Sequence, residues 1–518
     1  MALVNKIDSN ITGLAYAQEA ALGFLPGEGG YPSSPIWYRL EPNSYNDFGG
    51  EIVTVAPNPI NPSRQRRKGV TTDLNAAGGI NHNLTFQNLT DLMQGVMFAD
   101  IRFKGRRLVT AVDIDSANPD EYEVASTAGF VVNSLIKGIG FANAANNGLH
   151  VVTAITANVS VEVATGLLVA EPTPPAGARI DVVGHQAIAS DLNVVVSGDF
   201  ATITSTALNF TTLGLVPGQW IFVGGDTAPT RFVNAANNGY KRVRSISANS
   251  LVLDKSFLPM VAETGTTLTI RLFYGDVLRN ETGSLIKRRT YNIERLLGAP
   301  DDAFPAQIQS EVLKGAVANE FTLNVPSAEL VNIDVSFVAT DNEQRDAVTG
   351  PKQTSVQTFQ PAREYNTSSD VGRIRLAVVS SSDEAPSALF AFVTEATISV
   401  NNNVTPNKAV GVLGSFEVTA GTFTVSGELT AYFSTVQAVQ AVRNNADVTL
   451  DISFAKDNTG IIYDLPLIAL GDGRLNVEVD QPITLPLTTN AASGEDVLST
   501  LNHTLLITYF NYLPNAAM

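Results

Sequence analysis

An eight-residue stretch that occurs twice limits the folds open to this chain more than any other feature. The letters FANAANNG stand at 141–148, and FVNAANNG follows 91 residues later at 232–239. Alternating apolar residues follow both copies, and the tripeptide Val-Ala-Glu recurs at 169–171 and 261–263. A repeat of this length indicates two homologous β-modules side by side, each near the smallest size that folds alone.

The shared Asn-Asn-Gly sequence predicts a tight turn between two strands of each module, because these residues tolerate positive φ. The predicted repeat turns are Asn146, Asn147, Gly148, Asn237, Asn238 and Gly239. We place the modules at 119–190 and 191–277. The flanking segments, 1–118 and 278–518, carry strand patterns and are interpreted as one body that the modules interrupt.

Composition favours an all-β chain with many turns. The 518 residues include 40 Gly and 25 Pro, and 44% are apolar, which is ample for several cores. The absence of cysteine excludes disulfides and cysteine nucleophiles, and it fits assembly in a reducing cytoplasm. Neither a signal peptide nor a run of about 18 apolar residues is present, so we expect a soluble, non-secreted chain without membrane contact.

The net charge of −17 argues against a protein that grips nucleic acid, because gripping requires Lys and Arg to neutralise phosphates. It leaves open a surface past which nucleic acid slides. The acid is concentrated in 411–518, where three basic residues stand against eleven acidic ones. Basic residues gather in loops instead, above all at Arg64, Arg66, Arg67 and Lys68. We interpret such a loop as solvated, or as facing an acidic surface of a neighbouring subunit.

Two short helices stand out against the strand patterns. The first is expected to be capped by Asn88 and to reach about Phe98. Its apolar stripe consists of Leu89, Leu92, Met93, Val96 and Met97, which follow helical spacing. The second helix is expected to open with a capping box from Ser434 to Gln437 and to bury Val436, Val439 and Val442.

The most regular strand pattern runs over 422–433, where apolar and polar residues alternate and one face is therefore buried. This length exceeds the usual ~5–6 residues of a strand and suits a barrel wall. Alternation also predicts strands at 448–454, 475–480, 483–487 and 504–510. The polar faces of these strands carry four acidic residues: Glu428, Asp451, Glu478 and Asp480.

The sequence assigns no catalytic, cofactor-binding or metal-binding residues. Its four histidines stand singly, without metal-ligand spacing, and there is no phosphate loop or nucleophile elbow. A β-rich glycosidase needs two carboxylates, but it also needs an aromatic cleft that two Trp residues supply poorly. A repeat-bearing surface adhesin or carbohydrate-binding protein is the alternative from another class. The missing signal peptide and the embedded position of the repeats fit that alternative poorly.

The order of elements resembles the tail tube (major tail) proteins of long-tailed, non-contractile bacteriophages, the siphovirus type. The similar elements are the N-terminal arm with its basic loop, the helix at 88–98, the segment 291–297 and the strand end ISVNNN at 398–403. They continue with VSG at 425–427, YF at 432–433, the second helix, the strand 448–454 and LPL at 465–467. The resemblance covers about 1–115 and 278–518.

This resemblance implies an all-β fold with two short helices: a tail-tube β-sandwich or barrel body, interrupted here by two tandem modules. It implies a structural virion protein that self-assembles into stacked hexameric rings around a tape-measure protein. Tail terminator and baseplate or distal tail proteins would be its other partners, after assembly in the host bacterial cytoplasm. Double-stranded DNA would pass through the lumen during ejection without specific binding. A sheath, neck or baseplate protein is the alternative within phage structure.

Particular residues take roles from this interpretation. Glu428, Asp451, Glu478 and Asp480 are expected to face the lumen, where acid repels DNA. Arg64, Arg66, Arg67 and Lys68 are expected at inter-ring or inter-subunit contacts. The modules are expected on the outside of the tube, so deletion of 119–277 is expected to leave tube formation intact.

Overall fold

The structure is a computed structural model of the whole chain. It describes residues 6–7, 13–60, 62–63, 65–86, 89–114, 120–198, 200–254, 259–300, 307–346, 348–353, 356–357, 363–378, 387–388 and 392–517. Strands make up 48% of the chain, and two α-helices lie in the described part, so the predicted all-β fold with two short helices is confirmed.

Up to residue 279, the described part of the chain contains nineteen strands and one α-helix. In order they are β1 (Gly13–Gln18), β2 (Trp37–Leu40), β3 (Ser44–Val55), β4 (Val70–Asn83), α1 (Thr90–Met97), β5 (Arg106–Asp113), β6 (Asp120–Val124), β7 (Ser134–Ile139), β8 (Leu149–Val151), β9 (Ala154–Thr156), β10 (Ser160–Val163), β11 (Arg179–Gln186), β12 (Asn193–Ser197), β13 (Phe200–Thr204), β14 (Trp220–Val223), β15 (Gly239–Ile246), β16 (Ser250–Leu253), β17 (Glu263–Thr264), β18 (Arg271–Tyr274) and β19 (Asp276–Arg279).

From residue 291 onward, the described residues form fifteen strands and the second α-helix. They are β20 (Tyr291–Gly298), β21 (Gln309–Val325), β22 (Asn332–Ala339), β23 (Asp341–Arg345), β24 (Val356–Gln357), β25 (Val371–Val378), β26 (Ser387–Ala388), β27 (Val393–Asn401), β28 (Thr405–Asn407), β29 (Glu417–Thr419), β30 (Thr424–Tyr432), α2 (Val436–Arg443), β31 (Val448–Lys456), β32 (Thr459–Asp472), β33 (Thr484–Ala492) and β34 (Leu506–Phe510). Short 3-10 helices include Ala144–Asn147 and Ala235–Asn237.

Contacts divide the chain into two compact units, each built from separate segments. Unit 1 comprises Met1–Ala99, Gly283–Thr367 and Glu395–Leu429. Unit 2 comprises Asp100–Thr282, Ser368–Thr394 and Thr430–Met518. The repeat region therefore groups with the C-terminal strands.

Strand β21 organises unit 1, because its 17 residues belong to two sheets. Its first half pairs with β20 and β23, and its second half pairs with β22 and β27. Strands β1 and β2 extend the first sheet beyond β20, and β4 and β3 extend the second sheet beyond β22. Helix α1 packs on β21.

The two repeats in unit 2 share one sheet. Fourteen strands, β5 to β18, connect into it, and the sheet starts at Arg106, before the first repeat. Strand β11 of the first repeat pairs antiparallel with β18, which holds the same place in the second repeat. One apolar cluster runs through both repeats, with members such as Tyr122, Phe141, Phe210 and Phe232. The repeats therefore form a single double module instead of two separate domains.

The double module also shares a core with the C-terminal strands of unit 2. Trp220 and Phe222 of β14 pack in one buried cluster with Ile462 of β32 and Phe510 of β34. Deleting 119–277 would strip this cover from apolar side chains that are now fully buried. The prediction that the deletion leaves assembly intact assumes that the modules are a free-standing insertion. This shared core contradicts that assumption.

Both helices differ in detail from the sequence expectation. The apolar stripe of α1 is buried as predicted, but Leu89 occupies the N-cap position without a side-chain cap, and the predicted cap Asn88 lies outside the described residues. In α2 the N-cap is Thr435, again without a side-chain hydrogen bond, and the buried residues are Ala438 and Ala441. Val436 is 63% exposed, because the small alanine face is the one that reaches β32.

The structure of the single chain has no strand at 475–480, where the alternation predicted one. Residues 473–483 form a hairpin loop after β32, with one bridge between Asn476 and Thr484. Leu475, Val477 and Val479 are 41%, 68% and 88% exposed. The alternation is present, but no neighbouring strand covers its apolar side.

A polar sheet face as candidate functional site

Unit 1 carries a wide polar surface on one face of its second sheet. Strict alternation along the strands buries one set of side chains, including Phe321, Leu323, Ile333, Val335 and Ile398. The opposite set points to solvent. It consists of Asn81 and Asn83 on β4; Asn332, Asp334 and Ser336 on β22; Glu320, Thr322 and Asn324 on β21; Thr397, Ser399 and Asn401 on β27; and Thr424, Ser426 and Glu428 on β30. We call this set the polar face.

Side chains on the polar face hydrogen-bond to one another across the strands. The Nδ2 groups of Asn81 and Asn324 donate to the two carboxylate oxygens of Asp334, at 2.9 and 2.8 Å. Both amides also donate to Asn332 Oδ1, at 3.3 and 3.0 Å. The face is therefore held as a ladder of cross-strand pairs, which fixes its side-chain directions.

The ladder continues over the next strands. The hydroxyls of Thr322 and Ser399 lie 3.1 Å apart, and Asn401 Nδ2 donates to Glu320 Oε1 at 2.8 Å. None of the polar-face positions holds Lys or Arg, whereas Glu320, Asp334 and Glu428 are acidic. The surface is thus hydrophilic and weakly acidic, and many of its amide N–H donors are engaged internally.

The four predicted lumen acids fall in three different places. Glu428 lies exposed on the polar face, at the predicted alternation of β30. Glu478 and Asp480 are exposed in the loop after β32, where Asp480 has φ +61°.

Asp451 is a correction, because its side chain has no exposed surface. Strand β31 is buried on both faces, so its alternation does not mark a wet side. The carboxylate receives Arg373 Nε at 2.7 Å and Arg375 Nε at 2.8 Å. Asp451 is therefore an internal ion-pair partner and cannot line a channel.

A second buried carboxylate ties the double module to the C-terminal strands. Asp464 of β32 receives Trp220 Nε1 at 3.0 Å and Arg242 Nη1 at 3.2 Å. Arg242 also bonds Asp254 at 2.7 Å. Sequence reasoning missed this cluster, since Asp464 lies more than 200 residues from both Trp220 and Arg242 along the chain.

The basic loop stands at the end of the long β3–β4 hairpin. Arg66, Arg67 and Lys68 are exposed, and Arg64 lies outside the described residues. The outer part of the hairpin also exposes apolar side chains, with Ile52 at 51% and Val55 at 58%. The hairpin thus exposes both charge and apolar surface, and the inter-ring or inter-subunit role of its loop stays a prediction.

The repeat turns form the same hydrogen-bonded loop in both copies. Asn147 Oδ1 accepts from Phe141 N at 2.9 Å and its Nδ2 donates to Phe141 O at 2.7 Å. In the second copy, Asn238 makes both bonds with Phe232, at 3.0 and 2.8 Å. These matching bonds establish the structural equivalence of the repeats.

The other asparagine of each copy is fully buried and explains the recurring Val-Ala-Glu. Asn146 bonds the backbone of Val169 and the carboxylate of Glu171, and Asn237 does the same with Val261 and Glu263. Each glutamate also accepts backbone N–H groups at the start of its loop.

The predicted positive φ occurs in one copy alone. Gly239 has φ +92°, whereas Gly148 has φ −73°. Each turn lies between two paired strands, as predicted, and contains a 3-10 helix, Ala144–Asn147 or Ala235–Asn237.

Metal-binding and titratable groups offer no assembled centre in the described residues. No cluster of three or more His, Cys, Asp or Glu side chains has metal-binding geometry there. Burial lowers the pKa of His185 to about 4 and that of His503 to about 3. Within the described part of the chain, no helix is long and apolar enough to cross a membrane.

Comparison with known families gives first the class of protein, a structural component of a bacteriophage tail. The matching family model is described as phage tail tube protein, and the match spans residues 9–491. Because it covers nearly the whole sequence, the chain belongs to the phage tail tube protein family. No curated protein matches the chain. The sequence-based resemblance to tail tube proteins is thereby confirmed.

Proposed function

We propose that copies of this chain close into rings, which the siphovirus-type resemblance implies to be hexameric, and that the rings stack into a tail tube. The polar face lines the channel of this tube. DNA passes along the channel during ejection, and a tape-measure protein fills it beforehand. Tail terminator and baseplate or distal tail proteins cap the ends of the tube.

The observation that carries this proposal is the hydrogen-bonded polar face without basic residues. Duplex DNA carries one negative charge per ~1.7 Å, so a wall binds it chiefly through Lys, Arg and free N–H donors. Here Asn81 and Asn324 direct their donors at Asp334 instead. Such a wall wets the channel and leaves the phosphates without a partner.

Sheet edges support the ring itself. An exposed strand edge is an aggregation risk, and ring closure pairs such edges between copies. Strand β3 pairs with β4 along one edge, and its outer residues Ile52, Val53 and Val55 are 51%, 37% and 58% exposed. A second copy that covered this strand would remove both the open edge and the apolar surface.

Single-cysteine labelling tests the position of the polar face, because the chain has no cysteine of its own. The variant Ser426→Cys places one thiol on the polar face, and Thr266→Cys places one on an exposed loop of the second repeat. In unassembled chain, a small maleimide and a maleimide on a large polyethylene glycol should label both variants. In assembled tubes, the large reagent should label Thr266→Cys and fail on Ser426→Cys.

Equal labelling of both variants in intact tubes by the large reagent would place the polar face outside and overturn the proposal. Negative-stain electron microscopy of each sample checks that tubes of uniform width are present. Tubes of wild-type width from both variants ensure that the substitutions themselves do not disturb assembly.

A further inference from the structure

The elements of unit 1 have a fixed chain order and a fixed set of pairings. The order is β1, β2, β3, β4, α1, β20, β21, β22, β23. Strand β1 pairs with β2 and with β20, β20 with β21, and β21 with both β22 and β23. The strand before the helix, β4, pairs with β22 and with β3. Helix α1 packs on β21. We call this arrangement the first body.

Nine later elements repeat this order and these pairings. The order is β25, β26, β27, β30, α2, β31, β32, β33, β34, with only the small β28–β29 hairpin added. Strand β25 pairs with β26 and with β31, β31 with β32, and β32 with both β33 and β34. Strand β30 pairs with β27, and α2 packs on β32. This arrangement is the second body.

The agreement extends to single hydrogen bonds. In the first body, Leu84 at the end of β4 donates its N–H to Val331 O at 2.8 Å, just before β22. In the second body, Phe433 at the end of β30 donates its N–H to Ile483 O at 3.0 Å, just before β33. In both, the chain then enters the helix of that body.

The central hairpins turn at the same point. Asn324 pairs with Asn332 around a turn whose middle residue, Ala328, has φ +59°. Asn476 pairs with Thr484 around a turn whose middle residue, Asp480, has φ +61°. Residues other than glycine seldom adopt this conformation, so its recurrence at the same register is strong evidence of common origin.

We infer that the chain contains the tube body twice, with residues 100–282 inserted between helix and strand of the first body, and that three chains supply the six bodies of one ring. This inference rests on the proposed ring function. The resemblance implies six copies of a chain with one body, and two bodies per chain halve that number.

One sheet edge is covered by a strand in the first body and uncovered in the second body. This difference indicates how neighbouring chains join. In the first body, the outer half of β21 is flanked by β22 on one side and β27 on the other. Leu323 and Val325 there are 0% and 4% exposed. The matching residues after β32 are Leu475 and Val477, which are 41% and 68% exposed. Among the described residues, a strand flanks them on the β33 side only.

The missing strand is β3 of a second copy. Strand β27 stands beside β30 as β3 stands beside β4, so the two are equivalent. Since β27 covers β21 of the first body, β3 of the next chain is the matching cover for residues 473–479. Addition of a strand to an open edge supplies backbone hydrogen bonds and buries the alternating apolar side chains. The predicted strand at 475–480 then forms on assembly.

Counting the chains in a ring tests the inference. Rings released from tubes, or formed on concentration, are weighed by native mass spectrometry, with the 55.0 kDa chain as the unit. Three chains per ring, with threefold top views in electron microscopy, are expected. Six chains per ring would overturn the inference and leave the ring function standing. The absence of any ring would overturn the proposed function and the inference with it.

A substitution tests the junction separately. Val477→Pro removes a backbone N–H at the open edge and is expected to abolish ring formation. Val477→Thr keeps that donor and should form rings as wild type does. Residue 477 is exposed in the single chain, so the thermal unfolding of unassembled Val477→Pro should match wild type. Normal rings from the Pro variant would overturn the junction with β3.

Discussion

At the scale of single residues, burial decided which polar groups have a structural role. Asn146 and Asn237, which the sequence presented as turn residues, are fully buried clamps that join each repeat loop to a glutamate. Asp451, which the sequence presented as solvent-facing, is enclosed by two arginines. In both cases the sequence identified the residue, and its burial changed the role.

His503 leads to a prediction about pH. The imidazole is buried, and neither ring nitrogen has a hydrogen-bond partner. Burial, together with the positive charges of Arg279, Arg242 and Arg102, lowers its pKa to about 3. In the unfolded chain His503 has a normal histidine pKa of about 6.5. Below that pH the unfolded chain therefore binds a proton that the folded chain does not bind. Stability should therefore fall as the pH drops from about 6.5 towards about 3.

The variant His503→Leu isolates this effect. Each pH unit in that window costs the wild type about 1.4 kcal/mol, so the free energy of unfolding relative to the variant should drop by about 2 kcal/mol between pH 6.5 and 5. Urea unfolding of both unassembled proteins at several pH values measures the difference. A difference that stays constant with pH would contradict a buried neutral His503.

At the scale of elements, periodicity predicted that a helix or strand is present more reliably than it predicted which neighbours cover it. The stripe of α1 is buried as expected, because helical spacing alone brings those side chains to one face. In α2 the alanines Ala438 and Ala441 face inward and Val436 faces out, because the alanine face is the one that packs on β32. In the described part of the single chain, the 475–480 alternation is paired through one bridge, Asn476 to Thr484, and a single bridge does not make it a strand.

The β3–β4 hairpin carries an element-scale prediction. Replacing Arg66, Arg67 and Lys68 together by Ser should leave the rings intact and reduce stacking into tubes, because the exposed loop loses its charge. Wild-type stacking should weaken with added salt, since exposed charge pairs are screened at about 0.15 M. Electron microscopy and sedimentation compare rings with tubes. Arg443→Ser, which removes an exposed charge from α2, should stack as wild type does.

Full-length tubes from the triple variant would show that the basic loop does not contribute to the inter-ring contact. Loss of rings as well as tubes would place it instead at the contact within a ring. These two outcomes separate the inter-ring and inter-subunit roles that the sequence left open.

At the scale of the whole molecule, the repeats belong to the same compact unit as the C-terminal strands. Trp220 and Phe222 cover Ile462 and Phe510, and Arg242 neutralises Asp464. This arrangement gives the double module a structural part in unit 2 beyond any surface role.

Deletion of 119–277 is therefore expected to yield misfolded or aggregated protein. Besides the lost apolar cover, Asp464 would remain buried without Arg242, and an unpaired buried charge costs about 3–5 kcal/mol. Soluble yield and cooperative thermal unfolding measure the outcome. A matched variant, Arg231→Ser on the exposed surface of the same module, should fold normally. A deletion product that folds and assembles would contradict this expectation and support the prediction that the modules lie outside the tube and are not needed for its formation.

The sequence by itself determined the all-β class, the two helices, the repeat and the tail tube resemblance, because these rest on local periodicity and order. The exposed Glu428 followed from the same alternation. Tertiary structure alone decided that Asp451 is paired, that the repeats share a sheet and that Trp220 meets Asp464. It alone also revealed the matching pairings of the two bodies, whose sequences have diverged. Such contacts join residues far apart along the chain, and no local pattern records which distant strand will cover a given face.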